Sequence, residues 1–116
     1  MRNLVISSGQ ALKLWHATSV AMVQDETRDL TQRQMAILLV VYLEPPPHTV
    51  RGIAQYLGVT KPVITRALDT MGSMNLLERR RDPEDLRNVL IRRTVEGALY
   101  LERLGDIVSK KAEEIS

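Results

Sequence analysis

The stretch that decides the fold is residues 49–94, which read TVRGIAQYLGVTKPVITRALDTMGSMNLLERRRDPEDLRNVLIRRT. Its first part predicts a short helix over VRGIAQYL, because Thr49 suits an N-cap and Gly58 suits the left-handed residue that ends a helix. A second helix is predicted from Thr60 through KPVITRALDTMGSM, since apolar residues recur there at the spacing that buries one face. These apolar residues are Ile64, Ala67, Leu68 and Met71.

The second half of the same stretch predicts a charged β-hairpin. LLERR and NVLIRR are strand-like runs, and RDPEDLR between them carries the Pro and Asp residues of a turn. Two helices followed by a basic hairpin form a winged helix-turn-helix, whose parts dock on DNA. We therefore expect a mainly α fold with a small β-hairpin, in which residues 31–94 are the winged-helix DNA-binding lobe.

The run over residues 52–97 resembles the DNA-binding lobe of the MarR family of bacterial transcriptional regulators. The matching features are the turn LGVTK, the helix end that leads into NLLERR, the wing DPEDLR and the closing Thr-x-x-Gly at Thr94 and Gly97. Asp85 and Arg87 stand two residues apart in that wing. The resemblance implies a dimeric regulator that binds double-stranded DNA, and family members often bind small aromatic acids as effectors.

Three further helices are predicted outside the helix-turn-helix. A capping box at Ser7 and Gln10 begins the first, within residues 7–28. A second capping box, at Thr31 and Gln34, begins a helix over Gln32 to Leu43, which ends before three prolines and should be the most buried of all. The last helix covers residues 95–115.

An apolar row on the last helix predicts an interface. It comprises Ala98, Leu101, Gly105, Val108, Ala112 and Ile115, with Leu104 and Ile107 beside it. A small domain has little core left to cover so long a row. Packing on the first helix of the same chain and packing between the terminal helices of two chains remain open, and we favour the homodimer that the resemblance implies. The expected dimerisation residues are Leu12, Trp15, Leu101, Leu104, Val108 and Ile115.

The outward face of the second helix of the helix-turn-helix supplies candidate DNA contacts. Arg66 is expected to bond the edge of a guanine, and Val63 to touch a thymine methyl group. Thr60 and Lys61 are expected to hold phosphate. The expected DNA-binding residues together are Thr49, Thr60, Lys61, Pro62, Val63, Thr65, Arg66, Arg79, Arg81, Asp85 and Arg87.

In the wing, the resemblance suggests that Arg87 enters the minor groove while Asp85 steadies it or the hairpin. Because neighbours on a strand point to opposite faces, at most two of the three arginines in residues 79–81 can face DNA together. Arg92 and Arg93 are ambiguous for the same reason.

Composition agrees with one intracellular domain over residues 1–116. The chain has no Cys and a net charge of +2, but residues 61–93 carry eight basic against five acidic side chains, a local balance of +3. Disulfides and thiol-based redox sensing are therefore excluded. The apolar opening over residues 1–6 is too short for a signal peptide, and we expect no membrane contact and a cytoplasmic location.

An enzyme is not expected, and neither is a metal or cofactor. His16 and His48 have no carboxylate at a ligand-like spacing, Gly58 and Gly72 fit helix ends better than a phosphate loop, and His48 fits a loop position. The alternative function is a winged helix that binds protein, as an adaptor or antagonist of another regulator. A small-molecule effector remains possible, with Trp15, His16, Met22 and Tyr42 either lining its cleft or lying in the core.

Overall fold

The structure, a computed structural model, describes residues 5–115. In chain order its elements are α1 (Ser8–Asp25), α2 (Gln32–Leu43), β1 (His48–Thr49), α3 (Val50–Leu57), α4 (Lys61–Ser73), β2 (Leu77–Arg81), β3 (Val89–Arg93) and α5 (Val95–Ile115). This order confirms the predicted fold class. Residues 1–4, which belong to the opening stretch weighed as a signal peptide, and Ser116 lie outside the described residues.

The chain divides into two compact units. Leu30–Tyr100 forms one of them, and residues 5–29 with 101–115 form the other. The first unit begins one residue before the predicted DNA-binding lobe. A single domain over residues 1–116 stays a prediction.

Both predicted capping boxes are present. The Ser7 hydroxyl accepts a hydrogen bond from the backbone N–H of Gln10 at 3.1 Å, and the Gln10 side chain accepts one from Ser7 N at 2.9 Å. Thr31 and Gln34 form the same pair at 3.1 and 2.9 Å. Because these reciprocal bonds satisfy N–H groups that a helix start leaves unpaired, they determine where α1 and α2 begin.

The helix-turn-helix has the predicted start and turn. Thr49 caps α3 by accepting a hydrogen bond from Gly52 N at 2.9 Å, and Gly58 ends it with φ of 69°. The end of α4 differs from the expectation that Gly72 marks it. Gly72 lies inside the last turn, and Asn75 takes the left-handed conformation with φ of 59°, which the short polar side chain of Asn tolerates.

The wing is part of a three-stranded antiparallel sheet with the order β1-β3-β2. β2 and β3 form the predicted hairpin, with Leu77 opposite Arg93 and Arg81 opposite Val89. The additional strand is β1, in which His48 pairs with Ile91. His48 is therefore a buried strand residue and not the loop residue that the neighbouring prolines suggested. Its position depends on pairing with a distant segment, which the local sequence does not reveal.

The core of the Leu30–Tyr100 unit lies between α2, α3, α4 and the sheet. The predicted inward row of α4 is buried, and α2 has the smallest share of exposed residues among the five helices described in residues 5–115. Burial of each large side chain contributes roughly 1.5–3 kcal/mol. The largest fully buried side chains are Ile37, Leu38, Val41, Ile53, Ile64, Leu68, Met71 and Leu76.

The Thr-x-x-Gly motif forms a joint at the start of α5. The Thr94 hydroxyl accepts a hydrogen bond from Gly97 N at 2.9 Å and donates to Asn75 O at 2.7 Å. The Tyr42 hydroxyl accepts from Thr94 N at 2.9 Å and lies 3.1 Å from Leu76 O. Gly97 is required because a Cβ there would collide with Tyr42 and Leu76. The motif therefore holds the start of α5 against the end of the wing and α2.

In the other unit, a cluster of ion pairs joins the end of α1 to α5. The carboxylate of Glu26 accepts hydrogen bonds from Arg28 Nε and Arg103 Nη1, each at 2.8 Å, and the Glu26 side chain is only 5% exposed. Its hydrogen bonds with the Arg28 side chain are the main reason that the pKa of Glu26 falls from 4.5 to about 2. Glu26 is therefore ionised throughout the neutral range.

Much of the apolar surface of the same unit is uncovered. Leu12 and Trp15 of α1 are 70% and 67% exposed. Among the predicted dimerisation residues of α5, Leu101, Leu104, Val108 and Ile115 are half-buried. None of the helices in residues 5–115 is long and apolar enough to span a membrane.

Candidate nucleic-acid interface

The outward face of α4 is the candidate DNA-reading surface. With Ile64, Leu68 and Met71 buried, the helical period turns the residues between them toward solvent. Val63 is half-buried. The exposed predicted contacts on or beside this helix are Thr60, Lys61, Pro62, Thr65 and Arg66. The structure thus groups these expected contacts on one rigid surface.

Two cations and one hydroxyl group on that face, those of Lys61, Arg66 and Thr60, are available to a ligand. Within residues 5–115, Lys61 and Arg66 make no hydrogen bond or ion pair. Thr60 is the N-cap residue of α4, yet its side chain makes no capping bond. In contrast, the hydroxyl of Thr49 already accepts the bond from Gly52 that caps α3. Both hydroxyl hydrogens remain available to donate to phosphate, but only Thr60 can reorient its hydroxyl without losing a capping bond.

The two flanks of α4 meet different elements. On one flank Asp69 forms an ion pair with Arg79 of β2. On the other flank Arg66 lines an open groove of about 220 Å³ with the first residues of α2. The groove is lined by Thr31, Arg33, Gln34, Val63, Arg66, Ala67 and Thr70. The exposed face of α4 therefore lies between the wing sheet and the start of α2.

The three consecutive arginines of the wing have internal partners. Arg79 pairs with Asp69, Arg80 Nε lies 3.5 Å from the carboxylate of Glu78, and Arg81 donates to Leu86 O at 2.7 Å. These contacts brace the hairpin. Exposed ion pairs contribute only about 0–1 kcal/mol, so a phosphate could replace them. Phosphate contacts by Arg79 and Arg81 stay a prediction.

At the tip of the wing, Asp85 and Arg87 form a bidentate pair. Arg87 Nε lies 3.0 Å from Asp85 Oδ1 and Arg87 Nη2 lies 3.2 Å from Oδ2, while the Arg87 side chain remains 90% exposed. The Arg87 side chain, then its backbone N–H and the charge of Arg51 lower the pKa of Asp85. The pair orders an arginine that projects into solvent.

The structure settles one ambiguous arginine and adds two that the sequence interpretation missed. Arg93 donates to Val41 O at 2.9 Å and lies over the ring of Tyr42, so its guanidinium is engaged at the end of α2 although the residue is exposed. Arg33 lines the groove beside α4, and the positive charge of Arg51 helps to lower the pKa of Asp85. Both arginines could have been found in the sequence, because each is a cation in the first turn of a helix, where acidic residues are favoured.

Two other kinds of site were weighed from the sequence, a metal site and an effector cleft. Among the described residues there is no group of three His, Cys, Asp or Glu side chains able to hold a metal ion. Of the residues weighed for an effector cleft, Trp15 and His16 are exposed and Met22 is half-buried. The hydroxyl of Tyr42 is hydrogen-bonded to the backbone of Leu76 and Thr94.

Paired helices, an exposed basic face and a charged wing define this chain as a winged helix-turn-helix protein. A family model described as the MarR family matches residues 28–88, more than half of the sequence. The chain belongs to the MarR family. It is a DNA-binding transcription regulator and not an enzyme.

Solved structures of similar fold include regulators bound to DNA. The S. aureus MepR–DNA complex has a TM-score of 0.74 at 23% identity, covering 86% of this chain and 79% of that one. The transcriptional repressor CouR, bound to a 23-mer DNA duplex, has a TM-score of 0.71 at 25% identity and coverages of 90% and 70%. PcaV from Streptomyces coelicolor, in complex with its natural ligand, has a TM-score of 0.65 at 26% identity and coverages of 96% and 80%. No protein of curated function matches the chain.

Proposed function

We propose that α4 enters the major groove of double-stranded DNA and reads sequence through Arg66. The observation that carries this proposal is that Arg66 is exposed and has no partner among residues 5–115, on a helix whose opposite side is held by buried Ile64, Leu68 and Met71. A rigid helix of this kind can present a guanidinium to the O6 and N7 atoms of guanine. Lys61 and Thr60 then hold phosphate beside the helix start.

The wing is proposed to insert Arg87 into the adjacent minor groove. The Asp85 carboxylate orients the guanidinium, and the 90% exposure of the Arg87 side chain leaves it accessible. Arginine in a minor groove responds to groove width and electrostatic potential more than to base identity. Arg87 therefore contributes affinity that depends on the shape of the flanking DNA.

The regulator is proposed to act as a homodimer formed by its terminal helices. Leu12 and Trp15 expose large apolar surfaces on α1, and α5 carries the row that includes Leu101 and Val108. A second copy would cover these surfaces. A symmetric dimer presents two α4 helices to two half-sites, which explains why such a protein would need the interface.

The same proposal places the protein in the cytoplasm, with its DNA. It includes a small-molecule effector, since PcaV was solved with its natural ligand. The protein-binding alternative is less well supported. An adaptor has no need for unpaired cations on α4, and Lys61 and Arg66 are both unpaired within residues 5–115.

Binding-site selection on the wild type, Arg66→Ala and Arg87→Ala tests the proposal. Arg66→Ala should relax preference at one operator position and cost about 1–3 kcal/mol on the best site, with little effect on random DNA. Arg87→Ala should weaken binding most where the flanking minor groove is narrow. Lys110→Ala, which removes an exposed charge from α5, is the control. Identical base preferences in all four proteins would reject Arg66 as a base reader.

A further inference from the structure

We propose that Arg33 of α2 holds a phosphate of the DNA backbone in the groove beside α4. This inference rests on the proposed function. It adds a DNA contact from the helix that precedes the helix-turn-helix, on the flank of α4 opposite the wing sheet.

The charges that line the groove select for an anion. Arg33 and Arg66 are two of its seven lining residues, and none of the seven is acidic. Within residues 5–115, neither arginine makes a hydrogen bond or an ion pair. Two unpaired guanidinium groups beside one groove repel each other, and an anion bound there would attract both. The groove of about 220 Å³ leaves room for a phosphodiester group.

Neutral donors complete the groove. In the capping box, the Thr31 hydroxyl and the Gln34 carbonyl oxygen act as acceptors for backbone N–H groups. The hydroxyl hydrogen of Thr31 and the side-chain NH₂ of Gln34 therefore remain available as donors. Phosphate oxygens only accept hydrogen bonds, so they match this set of donors better than a cation or a neutral base would.

The position of Arg33 within α2 has a cost that a phosphate would offset. Arg33 is the second residue of the helix, where the helix dipole disfavours a cation, and the first turn contains no acid. The same inversion occurs at Arg51 in α3 and at Lys61 in α4, whereas the first turn of α5 contains an acid, Glu96. All three helices of the lobe thus present a cation where a stable isolated helix would prefer an anion.

The arrangement around α4 agrees with the width of DNA. Arg66 and Thr70 lie on the flank toward α2, and Asp69 lies on the flank toward β2. A helix in the major groove, which is about 12 Å wide, has a phosphate strand along each edge. Arg33 lies on the side of one strand, and the wing lies on the side of the other.

The test measures duplex affinity against salt for the wild type, Arg33→Gln, Arg33→Lys and the control Lys110→Gln. The probes are a duplex obtained by selection with the wild type and a duplex of random sequence. Arg33→Gln should lower the log–log salt slope by about 0.9 per protomer, or about 1.8 for the proposed dimer, and weaken binding to both duplexes by the same factor. Arg33→Lys, which keeps the charge, and Lys110→Gln should retain the wild-type slope. Thermal melting should show all four proteins folded, since Arg33 is exposed.

The outcomes separate the two proposals. A wild-type slope for Arg33→Gln rejects the phosphate contact and leaves the proposed function intact. A changed base preference in Arg33→Gln also rejects it, because a phosphate contact carries no sequence information. Failure of the wild-type protein to bind either duplex rejects the proposed function itself.

Discussion

Substituting Gly97 with Ala tests the joint that holds the start of α5 to the DNA-binding lobe. A Cβ at this position would fall 2.8 Å from Tyr42 Cζ and closer still to the Tyr42 hydroxyl and the Leu76 carbonyl oxygen. Ordinary contacts of a Cβ begin at 3.4 Å. Tyr42 cannot withdraw without losing the hydrogen bond that it accepts from Thr94 N at 2.9 Å.

These contacts determine the expected loss of stability. Overpacking costs about 1–3 kcal/mol, and an unsatisfied N–H group of Thr94 costs about 1–3 kcal/mol more. The higher helix propensity of alanine than of glycine offsets up to about 1 kcal/mol of this loss. The expected net decrease in the free energy of unfolding for Gly97→Ala is therefore about 3 kcal/mol.

Urea denaturation followed by circular dichroism, at one fixed protein concentration, measures this change. The matched control is Gly72→Ala in α4, where a Cβ meets nothing within 4 Å and should leave stability unchanged or raise it. In a Tyr42→Phe background Gly97→Ala should cost less, because the hydroxyl oxygen is absent. If Gly97→Ala is as stable as the control variant, the steric argument is wrong.

Two further predictions concern the unit that contains α1. Glu26→Gln should destabilise the protein by at most about 3 kcal/mol at neutral pH. Because the pKa of Glu26 is lowered from 4.5 to about 2 in the folded protein, the stability difference between wild type and Glu26→Gln should fade between pH 4.5 and pH 2. A stability difference that stays constant over this pH range would contradict the prediction. Light scattering should give the wild type twice the chain mass of 13.1 kDa, with Leu101→Glu shifting it to monomer and the exposed control Glu102→Gln remaining dimeric. A monomeric wild type at high micromolar concentration would reject the dimer.

Helix starts and the turn of the helix-turn-helix were predictable because their signals are local. The capping boxes at Ser7 and Thr31 act over three residues, and Gly58 satisfies a backbone requirement at its own position. The inward row of α4 follows from the helical period alone. For the same reason, the outward face that contains Arg66 could be predicted from the sequence.

The roles of the arginines were less predictable, because charge alone does not reveal a partner. Arg79 pairs with an acid ten residues away, and Arg93 donates to a carbonyl 52 residues away. Arg33 and Arg66 line the same groove only because α2 packs against α4. No pattern in the neighbouring residues specifies any of these three contacts.

The sequence by itself determined the order of the elements, the face of α4 that is buried and the family resemblance, since each depends on residues a few positions apart. Tertiary structure alone decided that β1 joins the wing sheet, that Gly97 must be glycine and that Arg93 bonds the carbonyl end of α2. Those outcomes require segments far apart in the chain to meet, and the free energy that brings them together comes from burying the shared core.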